Sequence, residues 1–124
     1  MNLFGNILYV SESAVNQEAS IMRAVSLAEN NQGNLTVMDV VPVIAADIDL
    51  PHDRSISNKI QFAIVNERRK MLEALIEPYK KRLHIRLNVL VGTTFLEVIR
   101  TVLRNGHDLL IKPAENPGFI ERLF

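Results

Sequence analysis

One stretch constrains the chain more than any other: LHIRLNVLVGTTFLEVIRTVLRNGHDLLIKPA, from Leu83 to Ala114. An apolar strand ends at Gly92, a short amphipathic helix follows, Gly106 stops it, and a second apolar strand begins. This is a strand–helix–strand crossover, and it requires two parallel strands in one sheet. Parallel sheets hold their ligands in the crevice beyond the carboxyl ends of the strands. The loops that follow the strands are therefore where function is to be sought.

The rest of the chain reads in the same alternation. Ile7 to Val10 is a buried first strand, broken by Ser11, Glu12 and Ser13. A helix is expected from Ala14 to Asn31, with Ile21, Ala24, Val25 and Ala28 as its inward stripe. Gly33 fits the left-handed position just past its end. Leu35 to Val41 is a second strand, closed by Pro42, and Val43 to Ser55 reads as a long, mobile surface loop. A long helix is expected from Ser57 to Leu83, with Ile60, Ile64, Met71, Leu75, Tyr79 and Leu83 inward. Pro78 lies within that pattern and predicts a kink or an early end. Ile85 to Val91 is the third strand. Thr94 and Glu97 suggest a capping box at the start of the next helix. There Phe95, Val98, Ile99 and Val102 face the sheet while Arg100 and Arg104 face water. Asp108 to Lys112 is the fourth strand. The tail carries Phe119, Ile120, Leu123 and Phe124 at the spacing of an apolar helix face.

Composition removes several function classes. The chain has 124 residues, 48% of them hydrophobic, which suits one packed domain rather than a disordered chain. Acidic and basic residues balance at 14 each, so the long-range field of a dedicated nucleic-acid binder is missing. Cysteine is absent, which excludes disulfides and thiolate metal sites. No apolar run approaches the ~20 residues that span a bilayer, and the first residues lack the pattern of a signal peptide. A cytoplasmic domain with no nucleic-acid or membrane partner is the expectation.

No phosphate-loop or dinucleotide fingerprint is present. Glu12 follows the first strand, so it belongs at the carboxyl edge. There it could accept hydrogen bonds from a ribose or hold a hydrated cation, or simply face solvent. Gly92 permits close backbone approach, either for a ligand or for the tight turn alone. Asp39 interrupts the second strand. A buried aspartate needs a partner or a ligand, and the alternative, a rim residue facing water, is the expected one because Pro42 is so close. Asp47, Asp49, His52 and Asp53 match no calcium loop, so no metal site is expected. His84 and His107 stand next to strand starts and read as structural. The basic clusters Arg68, Arg69, Lys70 and Lys80, Lys81, Arg82 read as a solvated helix face. No nucleophile–base or paired-carboxylate arrangement can be assembled, so no enzyme activity is expected.

Taken in order, these segments resemble the universal stress protein family over nearly the whole chain. NILYVSES resembles its first strand, with Glu12 in the family's aspartate position. MRAVSLAENNQGNLTVMDVVP resembles its first helix and second strand, VLVGTTFLEVIRTV its third strand and third helix, and GHDLLIKPA its fourth strand, especially as found in tandem members. The resemblance implies an adenine-nucleotide alpha hydrolase-like α/β fold: an open parallel sheet in the order 3-2-1-4 with helices on both faces, lacking the family's fifth strand. It implies one domain over residues 1–124, incomplete at its carboxyl end. Nucleotide-binding members carry a spaced glycine signature after the fourth strand, whose amides hold ATP phosphates. Pro113 and Asn116 stand approximately where its first two glycines belong. The resemblance therefore implies a non-catalytic stress-response module with a degenerate nucleotide site at Glu12, Val41, Gly92 and Asn116. ATP is not expected to bind tightly, and no other cofactor is expected. The alternatives are an adenine-nucleotide sensor or one dimerisation half of a tandem protein. An unpaired fourth strand and an apolar tail imply a homodimer or larger homo-oligomer, or a protein partner.

Overall fold

The computed structural model describes residues 3–12, 16–44 and 55–113. Four strands, β1 (Asn6–Val10), β2 (Asn34–Val41), β3 (Ile85–Val91) and β4 (Leu109–Ile111), form one sheet in the order β3-β2-β1-β4. Every pairing is parallel, with Ile7 opposite both Leu35 and Leu109, and Val37 opposite Leu87. Three α-helices cross between the strands: α1 (Glu18–Asn30), α2 (Ser55–Ile76) and α3 (Thr94–Asn105). The expected fold class and strand order are those observed.

Strand side chains alternate between faces, and the helices divide accordingly. Ile7, Tyr9, Leu35, Val37 and Val41 point to one face and pack with Ile21, Ala24, Val25 and Ala28 of α1 and Leu72 and Ile76 of α2. Leu8, Val10, Met38 and Val40 point to the other, where Val98 and Val102 of α3 cover them. The helices thus lie on both faces, as expected, with most of the buried core on the α1/α2 side.

Local departures from the expected elements have identifiable causes. α1 begins at Glu18, not Ala14, because Asn16 is left-handed (φ 59°) and a helix cannot run through it. At its other end the left-handed residue is Gln32 (φ 51°), one position before the expected Gly33. Gly33 N donates to Ala28 O at 2.8 Å and Gln32 N to Glu29 O at 3.1 Å, the paired bonds of a Schellman ending. Gly33 is required for another reason: a Cβ there would stand 2.7 Å from the Phe4 carbonyl oxygen.

α2 ends at Ile76 and tightens into a 3-10 turn, Glu77–Tyr79, around Pro78. Of the residues expected inward, Ile64, Leu75, Tyr79 and Leu83 pack against the core. Ser57, Leu72 and Ile76 are buried, whereas Ile60 and Met71 are exposed. The α3 start uses Thr93 as its N-cap, without a side-chain capping bond, so the Thr94–Glu97 box does not form. On α3, Phe95 (71%) and Ile99 (39%) are exposed, and only Val98, Thr101 and Val102 turn inward. Gly106, left-handed at φ 69°, ends that helix as expected. Among the described residues no helix is long and apolar enough to cross a membrane.

Candidate functional site

Because all the strands run the same way, the segments after them leave the sheet on one edge. Glu12 emerges there from β1, Pro42 from β2, Gly92 from β3 and Lys112 from β4. The crossovers from β1 to β2 and from β3 to β4 lie on opposite faces, so the gap between the carboxyl ends of β1 and β4 is the topological switch point. Glu12 and Lys112 flank that gap. Lys112 Nζ lies 2.9 Å from Glu12 Oε1, an ion pair that bridges it. Glu12 itself is held left-handed at φ 52°, a conformation unusual for a side chain other than glycine. Pro113, next in the chain, is buried. Asn116 lies outside the described residues, as do the acidic and histidine residues between positions 45 and 54 and the apolar tail.

The other expected site residues meet on the same edge, with their polar groups already engaged. Gly92 N donates to Val41 O at 2.9 Å, which ties the end of β3 to the end of β2. The space in front of Gly92 (φ 155°) is filled by Glu97: a Cβ at Gly92 would sit 3.0 Å from Glu97 Oε1. Glu97 in turn accepts from Arg100 Nη1 at 2.9 Å. The glycine here makes room for a side chain of its own fold. Past β2, Ile44 N donates to Gln61 Oε1 at 2.8 Å and Gln61 Nε2 donates to Pro42 O at 3.1 Å, so α2 fastens the first residues of that loop.

Behind the edge, on the α1/α2 face, lies a buried polar group. Tyr9 Oη and Ser11 Oγ donate to Gln17 Oε1 at 2.8 and 3.0 Å. Burial pushes the Tyr9 hydroxyl up to about 12, so it remains a donor at any physiological pH. Asp39, read from sequence as a rim residue, is buried at 1% exposure and bound by Arg68 Nη1 at 2.8 Å. Arg68 is correspondingly an inward residue, not part of a solvated face. An open cleft of ≈ 490 Å³ runs alongside between α1 and α2, with Gln17, Arg68, Met71 and Tyr79 among its walls.

Lys112 and Arg68 are the residues that sequence reasoning missed. Lys112 was legible as the β4 counterpart of Glu12 across the switch point. Arg68 falls four residues before Leu72 and eight before Ile76, on the stripe that is buried. Among the described residues, no three metal-ligating side chains converge.

The fold and this edge define a class: an open, parallel α/β domain with its topological switch point at the β1/β4 gap. Solved structures similar to it include universal stress proteins. One is the universal stress protein UspA from Lactobacillus plantarum, at TM-score 0.74 and 18% identity over 91% of this chain and 81% of the neighbour. Another is a universal stress family protein from Burkholderia pseudomallei, at TM-score 0.67 and 20% identity over 95% and 86% of the two chains. A third, a universal stress protein in complex with cAMP, superposes at TM-score 0.53 and 14% identity over 87% and 75%. The chain therefore has the universal stress protein fold. No family model matches the sequence, and no curated protein matches it at a significant level.

Proposed function

We propose that this chain is a non-catalytic stress-response module of the universal stress type, with a degenerate nucleotide site at its carboxyl edge. The observation that carries the reading is the Glu12–Lys112 ion pair across the β1/β4 gap. A phosphate entering there has to displace Glu12 from Lys112 or meet the carboxylate's negative charge. Pro113, immediately beyond, brings no amide hydrogen to the turn where converging amides hold phosphates in such folds. Among the described residues, Glu97 and Asp39 near this edge are engaged as well, by Arg100 and Arg68, which leaves neither poised as a general base. Self-association belongs to the same proposal. Among the described residues β4 pairs only with β1, and its outward Leu110 is 44% exposed.

Titration calorimetry with Mg-ATP tests the nucleotide reading. A hydrogen bond to a charged group is worth about 1.5–3 kcal/mol. Losing two weakens binding by roughly a hundredfold to many thousandfold. A dissociation constant near millimolar or weaker is expected, and a micromolar one overturns the proposal. The second reading, an adenine-nucleotide sensor, is favoured by the cAMP-bound neighbour, because a single phosphodiester needs fewer converging amides than a triphosphate. Titration of cAMP in the same buffer separates the two. Saturation at micromolar cAMP with no response to Mg-ATP selects the sensor.

A further inference from the structure

The cleft between α1 and α2 has apolar walls that the core does not use. Met71 was expected inward, yet it is 48% exposed and lines the cleft. Ile21 of α1 and Leu72, Leu75, Pro78 and Tyr79 line the same space. Along α2 the wall runs from Arg68 to Tyr79, about 16 Å at ~1.5 Å per residue. At about 30 Å³ per water, the cleft's ≈ 490 Å³ corresponds to roughly sixteen waters, the scale of a small organic ligand.

The two ends of this trough differ. At the amino end Glu29 accepts from both Nε and Nη2 of Arg82, and the Arg82 guanidinium lies 5.6 Å from the centre of the Tyr79 ring. That clamp ties α1 to the turn after α2 and holds Tyr79 as the closing wall. At the carboxyl end the wall is polar, with Ser11, Asn16, Gln17 and Glu18. The Ser11 hydroxyl there already donates to Gln17.

The charge at that end rests with Arg68 and Glu18, the two charged residues in the wall. The Arg68 side chain is 19% exposed and held by Asp39 at 2.8 Å, so together they are neutral. Glu18 is exposed and enters none of the ion pairs among the described residues. Burial, and beyond it the Glu18 charge, raise the Tyr9 hydroxyl, so the field of this carboxylate reaches the polar group behind the cleft. The trough is therefore apolar along its length, with a negative charge at its head.

We propose that this cleft binds a linear amphiphile with a cationic head, of the alkylammonium class. The chain lies along Met71, Leu75 and Tyr79 and releases water from their apolar surfaces. The ammonium sits against Glu18. Methionine suits such a wall, because its unbranched thioether repacks around chains of different shape. An anionic head meets like charge at Glu18 and finds Arg68 already neutralised, which disfavours fatty carboxylates. The cleft lies on the α1/α2 face, apart from the β1/β4 gap, and does not depend on the function proposed there.

Octylammonium, octanol and octanoate share one chain and differ in the head, so they make the test. Each is titrated, below the concentration at which it aggregates, into the full chain labelled with carbon-13 at its methyl groups. Saturable shifts of the Met71 and Leu75 methyls are expected with octylammonium, at a dissociation constant of about a millimolar. Octanoate should bind roughly tenfold more weakly, with octanol between them. Glu18→Gln should remove the preference for the ammonium over the carboxylate while octanol binding stays unchanged. Met71→Lys, at an exposed position, should abolish the octylammonium response while the rest of the methyl spectrum stays dispersed. Shifts that do not saturate, shifts centred on Leu103 and the α3 stripe, octanoate binding as tightly as octylammonium, or a preference that survives Glu18→Gln would each overturn the proposal.

Discussion

The two faces of the sheet are built from the same alternating strands and come to different ends. On the α1/α2 face two helices cover four strands. Leu72, Ile76 and the small residues of α1 bury the core beneath the cleft between the two helices, and even the polar groups there, Asp39 and Arg68, are paired. On the α3 face one helix covers only the carboxyl half. Phe95, Leu96, Ile99 and Leu103 remain exposed, and the uncovered half of the sheet is lined with asparagine, threonine and arginine. The lesson is a division of labour set by helix count. One face carries most of the buried core, and the other leaves apolar side chains and a polar pocket open to solvent.

The comparison can be broken most directly at Leu72, which is 1% exposed. Leu72→Ala removes buried carbons and leaves a cavity, and urea denaturation should show a loss of about 2–5 kcal/mol. If the loss is under ~1 kcal/mol, the α1/α2 face is not the stabilising one.

A slightly smaller effect is expected for Arg68→Met, about 3 kcal/mol, because it leaves the Asp39 carboxylate buried without its guanidinium. The double variant Arg68→Met, Asp39→Leu should recover most of that loss, since neutral side chains of similar volume need no partner. Failure to recover would show that Asp39 matters for more than its own desolvation.

The smallest effect sharpens the contrast from the other side. Leu103 is 79% exposed, so Leu103→Glu should change monomer stability by no more than ~0.5 kcal/mol. If the exposed α3 stripe joins two copies, the same substitution shifts the molar mass seen by light scattering toward the monomer. A monomer at high micromolar concentration in the unaltered chain removes the self-association proposal.

What was legible in the residues follows from periodicity. Ile21, Ala24, Val25 and Ala28 announce the inward stripe of α1 and are all buried. Ile85 to Val91 is a strand over its full expected length, and Pro78 stops α2 near where its missing amide says it must. On α2 the stripe holds at Ile64 and Leu75 but not at Ile60 and Met71, and Arg68, which reads as a solvated residue, turns inward to Asp39. A long aliphatic stem lets arginine follow an apolar stripe while its head finds a carboxylate, so residue type alone misleads at that position.

The candidate site was legible only in its location. That Glu12 and Gly92 lie on the carboxyl edge follows from a parallel sheet and needs no coordinates. That Glu12 is paired with Lys112, and that Glu97 fills the space before Gly92, depends on residues far apart in sequence being brought together.

Local signals, apolar period and turn chemistry, thus determined the elements and their parallel arrangement, because each acts within a few residues. Only the tertiary structure decided which charges are neutralised and which glycine is crowded. Those outcomes depend on what each side chain meets across the sheet, and a pattern along the chain does not carry that distance.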